Sequence, residues 1–273
     1  MTLSGADIAH LLSAYGLRPS RSLGQNFVAD PNTVRRVARL AGVGPGDRVL
    51  EIGAGLGSLT LALAETGATV VAVEKDGHLI PALRGVTEPV AVEVVEADAM
   101  RVELASLLSG DGEGEWSLVA NLPYNVATPL VLRTLVEVEA VTRMLVMVQR
   151  EVGERMAAAP GDSAYGSVSV RIAYFARATV VGRVPASVFV PRPRVESVLV
   201  SLERLPSPAV DPALVSYERL EAVVKAGFGK RRKMLRRSLA GVIEPEAFAR
   251  AGVRPDARAE ELDVAAWGRL AAS

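Results

Sequence analysis

The chain has 273 residues, of which 49% are hydrophobic, and its 31 basic residues balance 31 acidic ones, so it can bury the core of one large domain and a small one. It has no cysteine and only two histidines, His10 and His78, which excludes disulfides, thiolate nucleophiles and cysteine metal sites and predicts that no metal is bound. The apolar runs Thr69–Val73 and Met144–Val148 are far shorter than the roughly 20 residues of a membrane span, and no signal pattern opens the chain, so we expect a cytoplasmic protein without membrane contact.

From Arg48 to Gln149, short apolar runs rich in β-branched residues alternate with helical patterns. This alternation predicts an α/β fold with a doubly wound, mostly parallel sheet. Two later runs, Val168–Val181 and Val195–Leu202, suit an antiparallel pair that closes one edge, which brings the sheet to seven strands. The predicted strands before them are Arg48–Ile52, Ala68–Val73, Val92–Glu96, Ser117–Ala120 and Met144–Val148. The predicted helices are Ser4–Tyr15, Pro31–Ala41, Leu56–Glu65, Gly77–Leu83 and Pro129–Val136.

A proline-containing segment, Pro206–Pro212, predicts a linker between two domains. The residues beyond it carry helical patterns without strand signals, which predicts a small α-helical domain. We therefore expect a first domain over residues 1–205 and a second over residues 213–273. The predicted helices of the second domain are Tyr217–Ala226, Arg232–Ala240, Pro245–Ala251 and Val264–Ala271.

A glycine-rich segment, Glu51–Gly57, stands between a predicted strand and a predicted helix. Glycines there let a nucleotide-like ligand approach the backbone. Glu74, at the end of the next strand, is positioned to bind two ribose hydroxyls, as in dinucleotide and S-adenosylmethionine sites alike. Three features favour methyl transfer over hydride transfer: the G-x-G-x-G spacing, the acid at Glu51 and a further acid at Asp98. The Asp98 carboxylate can accept a hydrogen bond from an adenine amine.

The tetrapeptide Asn121-Leu122-Pro123-Tyr124 follows a predicted strand beside the predicted cofactor pocket. An exocyclic amine such as adenine N6 is a poor nucleophile because its lone pair is delocalised into the ring. The Asn121 side-chain oxygen and the Leu122 carbonyl can accept its two hydrogens and make the nitrogen more tetrahedral. Pro123 stiffens the turn, and Tyr124 offers a face on which a base can stack. An ordinary strand-to-helix turn is the alternative that this motif alone leaves open.

Charge is distributed unevenly along the chain. Acidic residues dominate between Glu51 and Glu115, whereas a late basic run meets no acid before Glu244. The density of that run favours a polyanion partner over a solvated face. The run consists of Lys225, Lys230, Arg231, Arg232, Lys233, Arg236 and Arg237, and Arg183, Arg192 and Arg194 form an earlier basic set.

In their order and spacing, these motifs resemble those of the ribosomal RNA adenine N6-dimethyltransferases, in particular the bacterial small-subunit enzymes. Each motif alone is modest evidence, whereas their order along nearly the whole chain is specific. Besides Glu51–Gly57, Glu74, Asp98 and Asn121–Tyr124, the motifs are Ser22–Phe27, Gln149–Val152, Phe189–Val195 and Phe228–Lys233.

The resemblance implies a class I, Rossmann-like methyltransferase fold with an N-terminal lid over residues 1–47 and a C-terminal RNA-binding domain. It implies dimethylation of two neighbouring adenines near the 3′ end of 16S rRNA in the small ribosomal subunit. Tyr124 and Phe189, the latter in a stretch whose prolines predict a loop, would sandwich a flipped adenine. The implied S-adenosylmethionine contacts are Asn26, Val28, Gly53, Glu74, Asp98 and Asn121. The implied RNA contacts are Arg192, Arg194, Lys230, Arg231, Arg232, Lys233, Arg236 and Arg237.

From these residues we expect direct in-line transfer, in which no general base acts before the step. The alternatives are the large-subunit rRNA methyltransferases of macrolide resistance, which tend to have isoleucine after the asparagine, and DNA adenine methyltransferases, whose motif normally reads Pro-Pro. A different class is a ribosome-assembly factor that binds RNA through the late basic run and in which methylation is secondary. Nothing in the sequence indicates an obligate interface, so we expect a monomer.

Overall fold

The computed structural model describes residues 2–108, 114–123, 125–230 and 232–273. The chain divides into two compact units: Met1–Gly153 with Thr179–Glu203, and Glu154–Ala178 with Arg204–Ser273. The second unit takes in residues 154–178, which the sequence predicts to belong to the first domain. Tyr165, Val170 and Tyr174 of that segment belong to the hydrophobic core of the second unit, which explains why it groups there.

A mostly parallel sheet organises the first unit. The strands are β1 (Phe27–Val28), β2 (Arg48–Ile52), β3 (Thr69–Glu74), β4 (Val92–Glu96), β5 (Trp116–Asn121), β6 (Val141–Gln149), β7 (Ala176–Val184), β8 (Phe189–Val190) and β9 (Ser197–Arg204). Among the described residues, seven of these strands form one sheet in the order β4-β3-β2-β5-β6-β9-β7. Neighbours from β4 to β6 are parallel, and β9 is antiparallel to β6. The predicted fold class is confirmed.

The strand order explains where a ligand can bind. Chain order runs outward from β2 through β3 to β4 on one side, and from β5 to β6 on the other. In doubly wound sheets, the crevice outside the carboxyl ends of the strands at such a reversal is the usual ligand site. The residues that follow β2, β3, β4 and β5 therefore meet at this edge of the sheet.

The helix boundaries follow local signals in the sequence. Asp30 caps α2 by accepting from Thr33 N at 3.0 Å, Pro31 stands at the first helical position, and Gly42 ends the helix with φ of 64°. The helices are α1 (Gly5–Ala14), α2 (Pro31–Ala41), α3 (Ser58–Ala64), α4 (Ile80–Thr87), α5 (Leu104–Leu107), α6 (Ala127–Glu137), α7 (Arg150–Ala157), α8 (Ser167–Phe175), α9 (Tyr217–Gly229), α10 (Leu235–Ser238), α11 (Pro245–Ala251) and α12 (Val264–Ala272). Short 3₁₀ turns lie at Ala186–Val188 and Ala259–Glu261.

The predicted strand Val168–Val181 is wrong over its first half, because residues up to Phe175 form α8. Its β-branched residues suggested a strand, but packing outweighs this preference. Ser169 accepts from Gly166 N at 3.1 Å and donates to the Arg155 carbonyl at 2.6 Å, which stabilises the helix start. The strand proper, β7, begins at residue 176 and lies beside β9 at the edge of the sheet.

The second unit is mostly helical, with a core centred on a fully buried Trp267. A Cβ added at Gly227 of α9 would overlap the Trp267 ring, so this position requires glycine. The Phe228 ring lies 5.7 Å from that of Trp267, and the Tyr165 hydroxyl donates to the Leu262 carbonyl at 2.8 Å. These contacts tie α9, α12 and the loop before α8 into one core.

Membrane and metal binding were both expected to be absent from this chain. No described helix combines the length and the hydropathy that crossing a bilayer requires. Within the described ranges, no group of three or more histidine, aspartate or glutamate side chains is arranged to hold a metal ion.

Candidate active site

A cavity of about 380 Å³ lies at the carboxyl ends of β2, β3 and β5 and beside the loop after β4. The structure brings every cofactor residue predicted from the sequence to this cavity, together with Leu122. The predicted residues that line it are Asn26, Val28, Gly53, Glu74, Asp98, Asn121 and Leu122. Segments nearly 100 positions apart in the chain therefore form one site.

The glycine-rich segment after β2 requires glycine for two physical reasons. Gly53 and Gly55 have φ of 79° and 61°, a region that other residues rarely adopt. A Cβ at Gly55 would also come within 3.1 Å of the Phe27 ring. The Phe27 ring thus packs directly over the loop, and only a bare backbone fits beneath it.

Glu74 ends β3 as a buried carboxylate held by three backbone donors. Its Oε2 accepts from Gly55 N at 2.8 Å, and its Oε1 accepts from Lys75 N and Asp76 N at 2.9 and 2.8 Å. Burial raises the pKa of Glu74, and these hydrogen bonds oppose the rise. The carboxylate is thereby fixed in position at the cavity wall, where it can accept from ligand hydroxyls.

Asp98, in the loop after β4, is held as an ionised carboxylate. Lys75 Nζ lies 2.8 Å from its Oδ2, and Met100 N donates to its Oδ1 at 3.0 Å. The hydrogen bond from Lys75 lowers the pKa of Asp98, and the Met100 N–H acts in the same direction. The structure thus places at the cavity an acceptor that suits a base amine.

Arg133 of α6 fixes this loop, a role for which the sequence holds no local signal. Its Nη1 donates to the Ala99 carbonyl at 2.6 Å and its Nη2 to the Val102 carbonyl at 2.8 Å. Its Nε donates to Glu137 at 2.7 Å. A planar guanidinium with several donors suits such a task. Sequence reasoning missed this residue because its partners on the loop lie 34 and 31 positions away.

Asn121, the last residue of β5, has a defined amide orientation. Its Nδ2 donates to the Asn26 carbonyl at 3.1 Å. The amide nitrogen is thereby directed at the segment before β1, which leaves the Oδ1 atom to accept from a ligand at the cavity. The next residue, Leu122, donates its backbone N–H to the Met147 carbonyl at 3.0 Å, which anchors the turn to β6.

The segment before β1 is also held by Gln25. Its Nε2 donates to Asp76 Oδ2 at 2.7 Å, and its Oε1 accepts from Ser20 N at 2.7 Å. The first bond fastens the segment to the loop that follows Glu74, and the second holds the turn within the segment itself. Gln25 belongs to the Ser22–Phe27 motif, although nothing in the motif alone indicates this role.

Glu51, in β2, is a third acidic residue at the cavity. Glu51 is 1% exposed, and burial raises its pKa to about 8; the nearby Thr60 hydroxyl opposes the rise and the Glu74 carboxylate adds to it. Glu51 Oε2, Ser58 Oγ and Thr60 Oγ1 are buried without a hydrogen bond of normal geometry among the described residues. Buried polar atoms such as these are usually satisfied by an ordered water, an ion or a ligand.

Tyr124 and Phe189 are the two residues expected to stack on opposite faces of a base. Tyr124 lies outside the described residues. Phe189 does not lie in a loop, as the sequence predicted, but in β8, where it pairs with Val28. It is 3% exposed within the hydrophobic core and is not among the described residues that line the cavity. Pro191 directly follows β8, so the proline ends the ladder without interrupting it.

The predicted RNA contacts that the structure describes are mostly solvent-exposed. Arg192 and Arg194 follow β8, and the others surround the end of α9 and α10 in the second unit. Exposed guanidinium and ammonium groups at this density suit contact with phosphates. Arg231 lies outside the described residues, and the exposed residues of the second unit are Lys230, Arg232, Lys233, Arg236 and Arg237.

Comparisons with known proteins agree with this site. A family model described as ribosomal RNA adenine dimethylase matches residues 17–273 of the chain. Ribosomal RNA small subunit methyltransferase A of Nocardia farcinica is 45% identical over 286 residues, covering 99% of this chain and 94% of that protein. The protein of the same name from Kineococcus radiotolerans is 46% identical over 280 residues, covering 99% and 91%.

Solved structures show the same architecture. The 23S rRNA methyltransferase ErmE has a TM-score of 0.70 and 26% identity, over 90% of this chain and 98% of that one. A dimethyladenosine transferase from Plasmodium falciparum has a TM-score of 0.71 and 24% identity, over 88% and 94%, which supports the fold alone. The family match spans both compact units and every described motif of the cavity. The chain therefore belongs to the ribosomal RNA adenine dimethylase family.

Proposed function

We propose that this enzyme transfers methyl groups from S-adenosylmethionine to N6 of two adjacent adenines near the 3′ end of 16S rRNA, in the small ribosomal subunit, and thereby acts in ribosome biogenesis. Family membership supports adenine dimethylation of ribosomal RNA. The names of relatives at 45% and 46% identity support the small subunit. We further propose that the enzyme works in the cytoplasm as a monomer.

The cavity fits this cofactor in size and in its polar groups. Its volume of about 380 Å³ lies within the usual range for small-molecule sites, about 300–1,000 Å³. Glu74 presents a fixed carboxylate suited to ribose hydroxyls, and Asp98 presents an acceptor suited to the adenine amine. Gly53 permits close approach to the backbone, and the buried Glu51 lines the cavity beside it. We assign cofactor contacts to Asn26 and Val28 as well, since both line the same cavity.

One observation carries the proposal furthest: the amide of Asn121 is oriented by the Asn26 carbonyl. When bound, the cofactor supplies an activated methyl group on a sulfonium. The chain's part is to hold the target amine and raise its nucleophilicity. Asn121 Oδ1 accepts one N6 hydrogen and the Leu122 carbonyl the other, which draws the nitrogen lone pair out of conjugation.

No general base is required before methyl transfer in this scheme. During the transfer, the N6 nitrogen keeps its hydrogens and donates hydrogen bonds to Asn121 Oδ1 and to the Leu122 carbonyl. Methyl transfer leaves a positive charge on the nitrogen, and one proton is then lost to solvent. Catalysis then depends on positioning and on electrostatic complementarity. We propose that Tyr124, and Phe189 after a rearrangement that frees its ring, hold the flipped base by stacking.

The exposed basic residues support docking on ribosomal RNA. We propose that Arg192 and Arg194, together with the late basic run, contact phosphates and position the enzyme rather than read sequence. Because the same residues would serve a protein whose main role is to bind an immature subunit, a ribosome-assembly function is the second candidate. Its supporting observation is the exposure of the basic run in the second unit.

Transfer of labelled methyl groups from S-adenosylmethionine to unmethylated small ribosomal subunits tests the proposal. Large subunits and naked DNA are the parallel substrates, and nucleoside analysis identifies the product. We expect N6,N6-dimethyladenosine in the small subunit alone. Label in the large subunit would favour an activity like that named for ErmE, and the absence of label in every substrate, from protein that binds subunits, would favour the assembly role.

A further inference from the structure

A group of arginines in the first unit lies outside the cavity. Helix α2 carries Arg35, Arg36 and Arg39, and the part of β7 that belongs to this unit carries Arg183. None of the four is among the described residues that line the cavity. Residues 31–41 and 179–184 contain no acidic residue, and residues 163–195 contain none either. Four positive charges therefore lie on two elements that carry no negative charge.

Arg36 connects these two elements. Its Nη1 donates to the Arg183 carbonyl at 3.0 Å, and a Cβ added at Gly182 would overlap its Nη2. The guanidinium thus lies over the backbone of β7, at the edge of the sheet, in space that the missing side chain of Gly182 leaves open. A guanidinium has five N–H donors, and the bond to the carbonyl uses one of them. Arg36 is therefore held in place with donors left for a ligand.

Three of the four arginines have no acidic partner in the part of the chain that the structure describes. Arg35 pairs with Glu65 at 3.0 Å, whereas Arg36, Arg39 and Arg183 form no ion pair there. Arg39 and Arg183 are solvent-exposed and Arg36 is partly so. Arg36 and Arg39 are three positions apart on a helix, a spacing at which like charges repel each other. Uncompensated like charges on one surface favour an anionic partner.

The arginines proposed above to contact RNA belong to the same part of the first unit. β7 leads through the 3₁₀ turn Ala186–Val188 into β8, and Arg192 follows β8. β8 pairs with β1, and α2 begins three residues after β1 ends. One short ladder thus joins the segments that carry Arg36, Arg183 and Arg192. A phosphate backbone that contacts Arg192 can therefore continue along the same surface to the other two.

We propose that Arg36, Arg39 and Arg183 form a further phosphate-binding surface, which holds the backbone of ribosomal RNA away from the nucleotide that enters the cavity. This inference rests on the proposed function, because it takes the RNA of the small subunit as the partner. Arg36 is the positioned member, since its guanidinium is fixed against β7 and its planar fork matches phosphate oxygens. Phosphate contacts of this kind set the register of a protein on nucleic acid and carry no sequence information.

Binding of the full-length protein to small subunits over a range of salt concentrations tests the proposal. In a variant that combines Arg36→Gln, Arg39→Gln and Arg183→Gln, the slope of log affinity against log salt should be shallower by about 2–3, at about 0.7–0.9 for each phosphate. Between about 50 and 200 mM salt, wild-type protein should then lose about 20–40-fold more affinity than the variant. Unchanged affinity for free S-adenosylmethionine shows that the variant is folded. The rate at saturating subunits should be unchanged, while the KM for subunits rises.

Two further variants separate charge from geometry. Arg84→Gln removes an exposed arginine from α4, which lies beside β4 at the opposite edge of the sheet, and we expect wild-type subunit binding. Gly182→Ala keeps every charge and adds a Cβ that displaces the Arg36 guanidinium. The backbone at Gly182 is outside the left-handed region, so alanine is compatible with it. We expect Gly182→Ala to weaken subunit binding by about threefold to tenfold, and wild-type binding would overturn the positioned role of Arg36.

Protein-free 16S rRNA is the parallel ligand. If the combined variant bound subunits more weakly but bound this RNA as wild type does, the partner would be a ribosomal protein and the inference would fail. A combined variant with the wild-type affinity and salt slope, while wild-type protein methylates small subunits, would overturn the inference and leave the proposed function intact. Wild-type protein that neither binds nor methylates small subunits would overturn both.

Discussion

Asn121 donates its side-chain N–H to the backbone carbonyl of Asn26, 95 positions earlier in the chain, at 3.1 Å. This single bond connects the predicted catalytic amide to the segment that covers the cofactor cavity. The acceptor end of Asn121 is thus set by the same segment that lines the cavity.

Replacement of Asn121 by alanine is expected to lower kcat by a factor of about 10² to 10³, the usual effect of removing one preorganised group at a reacting centre. Cofactor affinity should fall far less. Single-turnover methylation of small subunits, with cofactor binding measured separately, checks this. Asn32→Ala, the same truncation at an exposed position of α2, is the control. Equal losses of kcat and affinity would contradict the polarising role.

Replacement of Gln25 by alanine should loosen the segment before β1 and weaken cofactor binding by about tenfold, because it removes a hydrogen bond to the Asp76 carboxylate, worth about 1.5 kcal/mol or more. We expect kcat at saturating cofactor to change little. Gln25→Glu is the matched variant, since its carboxylate can still accept from Ser20 N but cannot donate to Asp76. If Gln25→Glu kept wild-type cofactor affinity, the hydrogen bond to Asp76 would not be the cause.

Replacement of Arg133 by alanine leaves the Ala99 and Val102 carbonyls without their donor. We expect a loss of about 2–3 kcal/mol in the free energy of unfolding and weaker cofactor binding, because the loop that carries Asp98 is released. Glu137→Gln removes only the partly exposed ion pair with Arg133, which should cost less than about 0.5 kcal/mol. Denaturant unfolding of the two variants separates the effects.

Replacement of Phe189 by alanine is expected to destabilise the protein by about 3–5 kcal/mol, because the ring is 3% exposed in a packed core. Phe189→Leu keeps most of the buried volume and tests the proposed stacking role. Loss of subunit methylation in Phe189→Leu, with stability and cofactor affinity retained, would support stacking. Normal methylation by that variant would restrict Phe189 to packing.

Neutralisation of Lys230, Arg232, Lys233, Arg236 and Arg237 should weaken subunit binding without altering the affinity for free cofactor. The slope of log affinity against log salt should become shallower by about 0.7–0.9 for each phosphate that the variant no longer neutralises. Arg254→Gln is the control, since Arg254 lies in the same unit but pairs with Glu261 at 3.1 Å. Subunit binding that keeps its salt dependence in the neutralised variant would argue against docking through this run.

The elements whose bounds could be predicted are those whose ends are marked by local sequence signals. The bounds of β2, β4, α2 and α11 agree with the sequence prediction, because capping residues, prolines and glycines mark their ends. Convergence of the cavity residues was also predictable, since the carboxyl ends of parallel strands share one edge. Long-range contacts could not be predicted from the sequence. The hydrogen-bond partners of Gln25 and Arg133 lie 51 and 34 positions away, and no local pattern encodes such pairs.

Two local mispredictions have a common cause. Residues 168–175 are rich in valine and isoleucine, and residues 189–194 contain two prolines, so intrinsic preference indicated a strand and a loop. Packing instead stabilises a helix in the first segment and a strand in the second. The helix α8 contributes Val170 and Tyr174 to one core, and β8 contributes Phe189 to another. Propensity is a weak guide wherever a segment can bury a large side chain.

The ladder between β1 and β8 comprises only two residue pairs, Phe27 with Val190 and Val28 with Phe189. One strand lines the cofactor cavity through Val28, and the other leads into Arg192 and Arg194. Val28 and Phe189, which form one of the two pairs, are each 3% exposed in the same hydrophobic core, and Ala29 N donates to the Val188 carbonyl at 2.7 Å beside them. The cavity wall and the segment that carries the two arginines are therefore held together mainly by buried side chains, so a substitution that unpacks Phe189 would also displace Val28 at the cavity.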